Sequence, residues 1–200
     1  MFVRYRPPDR RSYSYLLGPY LGDGYVDDWR GPSSQLVIAC DAGYPELIED
    51  CWAAMQLASP GCHIGRYKTL GCIRVVGGSR LWREAFPQHG PGRKHERRIE
   101  LVAWQREIVD VFPQEFLRGL IHSDGCRTVN PFKTTLPSGR VAEYAYPRYF
   151  FSNLSADIRG LFCEYCDRIG VRWTQSNYRN ISVSHRHGVA ALDEFIGPKC

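Results

Sequence analysis

Two nine-residue stretches constrain this chain more than anything else in it. Leu16-Leu17-Gly18-Pro19-Tyr20-Leu21-Gly22-Asp23-Gly24 and Leu117-Arg118-Gly119-Leu120-Ile121-His122-Ser123-Asp124-Gly125 align without a gap. Both begin with Leu, carry Gly at the third place and end in Asp-Gly, with a small residue, Gly22 or Ser123, before the Asp. They lie about half of the 200-residue chain apart. A period that long points to a domain duplicated once rather than to a solenoid.

The repeated stretch has specific physical consequences. Gly18 and Gly22 are four residues apart, as are Gly119 and Ser123, so each pair shares one face of a helix. Small residues at that spacing let two helix backbones approach closely. The chain has no run of about 18 apolar residues, so the contact belongs inside a soluble core and not in a membrane. Each helix should stop near its Asp-Gly, with Gly24 and Gly125 expected to take positive φ. Pro19 removes a helix hydrogen bond and should kink the first helix. Side-by-side packing places Asp23 and Asp124 at the same end. Two carboxylates brought together without a cation repel. Hard divalent ions relieve that repulsion, and carboxylates holding metal are suited to phosphodiester cleavage.

The paired stretches resemble the two motifs of the LAGLIDADG homing endonucleases, in the monomeric form where one chain holds both copies. The resemblance covers most of the chain. It implies an α+β fold built as a pseudo-symmetric duplication of an αββαββα unit. Two antiparallel sheets would form a DNA-binding saddle, with the motif helices packed at the centre through Gly18, Gly22, Gly119 and Ser123. It implies that Asp23 and Asp124 anchor Mg²⁺ or Mn²⁺ together with backbone carbonyls, those of Gly22 and Ser123 among them. It implies hydrolysis of both DNA strands across the minor groove, leaving short 3′ overhangs. The family also uses a basic residue near the end of each unit's last strand. Arg186, beside His185, fits that role in the second half, and Lys68 and Arg80 both fit it in the first. The sixth letter of the motif, often Asp, is Leu21 and His122 here.

The remaining elements follow the same order in both halves. Residues 1–12 read as a basic arm whose Arg4, Arg6, Arg10 and Arg11 could reach a phosphate backbone or simply be solvated. In the first half, Tyr25-Val26 and Gln35–Cys40 read as strands joined by a turn at Gly31-Pro32-Ser33-Ser34. Pro45 opens a helix, and His63–Thr69 and Cys72–Val76 form a second strand pair. A short helix, Ser79–Phe86, closes the half. Residues 87–98 read as a Pro- and Gly-rich basic linker, and Ile99–Val111 as a helix. The boundary therefore falls between a first repeat, 1–98, and a second, 99–200. In the second half, Cys126–Val129 and Arg140–Ser152 read as strands joined by a long loop containing Pro131, Pro137 and Gly139. A helix capped by Ser155 and stopped by Gly170 follows. Strands at Val171–Ser176 and Asn180–Ser184 and a helix at Gly188–Phe195 complete the order.

A sheet with helices on one face and DNA on the other should alternate along its strands. Arg172 and Thr174 oppose Val171 and Trp173, and Ser182 opposes Ile181 and Val183. Arg66 and Lys68 share a parity, although Ile64 shares it too, and Arg74 opposes Ile73 and Val75. Gln35 and Arg148 are further candidates. Arg and Gln can read guanine and adenine through paired hydrogen bonds in the major groove. Each residue taken singly reads better as the solvated face of a sheet; taken with the motif pair, the set reads as a DNA-facing surface.

Composition adds bounds. A formal charge of +5 suits a nucleic-acid partner. Of eight cysteines, only Cys163 and Cys166 form a C-x-x-C, inside a helical pattern, which favours reduced thiols over a zinc site. The first residues lack the apolar core of a signal peptide, so a cytoplasmic protein, nucleoid-associated when on DNA, is expected. The expected function is a divalent-metal-dependent, site-specific double-strand DNA endonuclease that binds double-stranded DNA as a monomer. The alternative is a non-cleaving DNA-binding protein on the same scaffold, a regulator or maturase. An inactive relic is a third reading, to which Pro19 and His122 would point.

Overall fold

The computed structural model of the protein describes residues 5–27 and 33–197. Arg4 and the Gly31-Pro32 part of the expected turn lie outside the described residues. The first half runs α1 (Arg10–Asp23), β1 (Gly24–Asp27), β2 (Ser34–Asp41), α2 (Pro45–Ala58), β3 (Ile64–Thr69), β4 (Cys72–Ser79) and α3 (Trp82–Ala85). A single 3-10 turn, Lys94–Glu96, and α4 (Ala103–Val109) follow. The second half runs α5 (Pro113–Asp124), β5 (Gly125–Thr135), β6 (Val141–Ser152), α6 (Ala156–Arg168), β7 (Thr174–Gln175), β8 (Asn180–Val183) and α7 (Arg186–Ile196). Each half builds a four-stranded antiparallel sheet, in the orders β1-β2-β4-β3 and β5-β6-β8-β7. The orders are equivalent, so the duplication seen in the motifs extends to topology.

The centre is the pair α1 and α5. Asp9 caps α1 by accepting from Ser12 N at 2.5 Å, and Pro113 opens α5 at its first turn. Residues 13–21 of α1 are buried without interruption, as a helix surrounded by protein requires. A Cβ on Gly18 would lie 2.4 Å from the Gly119 carbonyl carbon. One on Gly119 would lie 2.2 Å from the Tyr15 carbonyl oxygen and 2.7 Å from Pro19 Cδ. Pro19, which cannot donate to the Tyr15 carbonyl four residues back, therefore sits in the contact itself. Buried polar groups beside the pair are satisfied. Tyr13 Oη donates to Ala85 O at 2.5 Å and accepts from Gln105 Nε2 at 2.8 Å, and Ser14 Oγ donates to Phe112 O at 2.9 Å.

Three expectations need correction. Gly24 and Gly125 have φ of −98° and −109°, ordinary extended backbone. Glycine is required there by crowding: a Cβ on Gly24 would lie 2.7 Å from Tyr20 Cα, and one on Gly125 2.8 Å from Ile121 Cα. The long loop expected around Pro131 is a strand. Pro131 pairs with Ala145 in β5, an edge strand of its sheet, where a missing N–H costs no ladder bond. The connection is a tight turn at Leu136–Arg140 with Gly139 at φ 80°. Finally, Arg10 and Arg11 belong to α1 and not to a free arm; Arg11 pairs with Glu115 of α5 at 2.6 Å.

Candidate site at the paired motif-helix ends

Both motif helices end at their Asp, and the ends touch. A Cβ on Gly22 would lie 2.3 Å from Ser123 Oγ and 2.7 Å from Asp124 Oδ2. The C-terminal ends of two helices carry partial negative charge, and two carboxylates add to it. The place therefore attracts cations. Among the described residues no cluster of three or more His, Cys, Asp and Glu side chains could hold a metal. A divalent ion at these ends would draw on carboxylates plus backbone carbonyls, hard oxygen donors that suit Mg²⁺ or Mn²⁺ in kind.

A cation of the protein's own already reaches the junction. Lys94, on the 3-10 turn of the linker, sends its ammonium to the last carbonyls of α1. It donates to Tyr20 O, to Leu21 O at 2.8 Å and to Gly22 O at 3.1 Å, and it lies 5.1 Å from the Tyr20 ring centroid. Burial pulls its pKa down to about 8, against the pull of Asp124 and then Asp23, which favour the charged form. Sequence reasoning placed Lys94 in a basic linker and gave it no role at the motif ends. Its fold-back has no local signature, because its partners are backbone carbonyls more than 70 residues away.

The two Asp residues open onto different cavities. Asp124 lines one of about 370 Å³, with Gly22, Lys94, His95, Asn153 and Arg179. Asn153 Nδ2 donates to Asp124 Oδ2 at 2.6 Å. Asp23, which is exposed, lines one of about 230 Å³ with Asp41, Tyr44, His122, Ser123 and Cys126. The basic residues expected to assist lie elsewhere. Arg186 starts α7 and lines a separate cavity with Tyr146, Pro147 and Asp193. Lys68 sits on the edge strand β3, and Arg80 follows β4. Asn153, Arg179 and Lys94 were missed by sequence reasoning.

Register sorts the expected DNA contacts by face. In the first sheet Leu36, Ile38, Val75 and Ile64 are buried and mark the helix-covered face. Gln35 and Arg74 lie on the opposite face, across from Gly78 and from Ala39 and Tyr67. Arg66 and Lys68 pair with Val75 and Ile73, which puts them on the helix side. Arg66 bonds Glu49 of α2 at 2.6 Å and lies over the Trp52 ring. In the second sheet Tyr149, Phe151, Ile181 and Val183 mark the covered face. Thr174, Ser182 and Arg148 share the other face, and Arg172 lies just before β7. Arg148 Nε, Ser182 Oγ and Asn180 Oδ1 are buried atoms without a hydrogen-bond partner. On the same open face Tyr144 stacks on Phe132 and on Tyr146, and Phe132 and Tyr146 lie tilted to each other, with centroids 5.5 to 5.8 Å apart.

Comparison by structure gives the fold a clear kinship. Variants of the homing endonuclease I-DmoI match at a TM-score of 0.60 and 16% identity, over 95% of this chain and 91% of theirs. The LAGLIDADG meganuclease I-AabMI, bound to uncleaved DNA, matches at 0.56 and 13%, over 92% and 82%. Full-length DUF199/WhiA from Thermatoga maritima matches at 0.56 and 16%, over 95% of this chain and 56% of that one. I-DmoI has been solved in complex with DNA and Mn. No family model matches the sequence, and no curated protein matches it. The chain thus has the LAGLIDADG fold.

Proposed function

We propose that this protein is a site-specific double-strand DNA endonuclease that depends on Mg²⁺ or Mn²⁺. The observation that carries the reading is the junction itself. Two helices touch through glycines, end together, and present Asp23 and Asp124 at negative helix termini between two sheets with polar open faces. Asp23, Asp124 and the carbonyls of Gly22 and Ser123 would hold the ion. Bound there, a divalent ion would supply Lewis acidity for phosphodiester hydrolysis. The chain's own residues hold and orient. Asn153 fixes the Asp124 carboxylate through Oδ2. Gln35, Arg74, Arg148, Arg172, Thr174 and Ser182 line the faces that would meet a duplex. The unpartnered Arg148 Nε and Ser182 Oγ support that role, because a buried polar atom without a partner costs stability unless a ligand satisfies it. Phe132, Tyr144 and Tyr146 add apolar contact surface. Arg66 joins a helix–sheet contact and falls outside this set, and so does Lys68 on the same face.

A second reading is favoured by one observation. Lys94 already donates to the Gly22 carbonyl, which a metal-free DNA binder would tolerate and a nuclease must work around. The similarity to WhiA is consistent with it. Both readings are tested by selecting cleaved and bound duplexes from a randomised library with Mg²⁺. Supercoiled plasmid carrying the selected site is then offered to Asp23→Asn and Asp124→Asn. Each substitution is expected to prevent linearisation while DNA binding persists, because it keeps shape and removes the charge a hard cation needs. Linearisation by either variant at the wild-type rate overturns the assignment of these acids. Enrichment of bound duplex without cleavage by the wild type supports the binder.

A further inference from the structure

The β5–β6 hairpin outgrows its sheet. β6 pairs with β5 from Val141 to Phe151, but with β8 only from Tyr149 to Ser152. Among the described residues, Val129–Thr135 and their partners Val141–Pro147 therefore form a two-stranded ribbon. A ribbon of two strands is marginally stable in water by itself. This one has support from cross-strand pairs. Phe132 and Tyr144 are directly opposed, with Tyr146 beside them on the same face. Lys133 and Glu143, also opposed, form an ion pair on the other face.

The aromatic face holds more apolar surface than that support uses. Phe132 stays 39% exposed and Tyr146 50%. Its setting indicates what would cover it. Cations border the patch: Arg148 lies on the same face with its Nε buried and unpartnered, and Arg186 shares a cavity with Tyr146. An apolar protein surface would leave those charges without partners, whereas phosphates would satisfy them. The three rings close on one another, each centroid 5.5 to 5.8 Å from the other two, so they leave no slot for an unpaired base. The major groove of paired DNA admits a two-stranded ribbon, and the apolar group it displays there is the thymine C5-methyl. We propose that Phe132, Tyr144 and Tyr146 form a methyl-reading patch that selects thymine where the second sheet meets the major groove. The proposal rests on the DNA-binding part of the reading above and adds which base this face prefers and through which group. Neither cleavage nor metal enters it.

Deoxyuridine tests it, because it pairs as thymine does and lacks only the methyl. Duplexes bound by the wild type are selected from a randomised library. Each thymine of the selected site is then replaced in turn, and affinity is read by fluorescence anisotropy. Within one half-site the wild type is expected to lose about fourfold in affinity for each methyl removed. Tyr146→Phe should keep that ratio. Phe132→Ser combined with Tyr146→Ser should bring it close to one. A hairpin merely loosened by the substitutions would weaken both duplexes and leave the ratio unchanged. Thermal melting confirms folding; if the combined variant does not fold, Tyr146→Ser alone takes its place, with a reduced ratio expected. Duplex binding without a thymine–deoxyuridine difference at any position, or a difference that persists in full in the serine variant, overturns the proposal and leaves the DNA reading standing. Tighter binding of the single strands than of the duplex, or binding to no DNA, overturns that reading and this inference together.

Discussion

His122, the sixth letter of the second motif, is committed to packing. Its Nε2 lies 2.8 Å from Ile196 O and its Nδ1 3.1 Å from Tyr15 Oη. A carbonyl only accepts, so Nε2 carries the proton and Nδ1 accepts from the tyrosine. The side chain ties α5 to α1 and α7, a role that gives its presence no bearing on whether the acids beside it remain functional. Asp193 does comparable work at the surface. It accepts from Arg127 Nε at 2.8 Å and from Tyr149 Oη at 2.7 Å, pinning α7 to β5 and β6. The Arg127 hydrogen bonds, with help from Tyr149, hold its carboxyl below the usual carboxylate range despite opposing burial. A carboxyl whose folded pKa is depressed stabilises the fold above its unfolded value, about 3.9, and loses that contribution as pH falls through the lower folded value. Urea denaturation between pH 2 and 6 should therefore show a steeper acid loss for the wild type than for Asp193→Asn. Identical acid limbs would show that the pin contributes nothing.

The α1–α5 pair is the element on which both halves depend. With Cβ positions 2.2 to 2.4 Å from opposing backbone atoms, even alanine forces the helices apart. Gly18→Ala and Gly119→Ala should each destabilise by at least the roughly 1–3 kcal/mol typical of overpacking, and valine by more. Chemical denaturation measures the loss, and DNA cleavage by any folded fraction should fall with it, since the motif ends separate. Wild-type stability in both variants would remove the close contact from the account. The β5–β6 hairpin is the other distinctive element. Its strands reach 11 and 12 residues.

At the scale of the molecule, one chain already contains both motif copies and two equivalent sheets, so it should engage one duplex as a monomer. A duplex lying across two sheets would meet many contacts to its phosphates. If about six are neutralised, affinity should drop on the order of 10³-fold between 50 and 200 mM salt. Fluorescence anisotropy across that range, with light scattering of the complex, measures both. A flat salt response, or a complex with two chains per duplex, would count against the saddle arrangement. No described helix is long and apolar enough to cross a membrane.

The sequence by itself determined the duplication, the pairing of the motif helices and the order of elements. Those features are carried by local chemistry: glycines four apart, Asp-Gly stops, prolines at helix starts and alternation along strands. It also marked Asp23 and Asp124 as the last residues of the paired helices, because the repeat carries both at the same place. Tertiary structure decided what surrounds them. Whether Arg66 faces a helix or solvent depends on strand register, and Ile64 at the same parity was the one local hint. Pro131 became part of a strand because that strand lies at a sheet edge. Gly24 and Gly125 proved necessary for space and not for φ, since crowding by the preceding helical turn becomes visible only once the helix is packed. Lys94 reached the junction through three carbonyls that any sequence would possess, so only the folded chain could single it out.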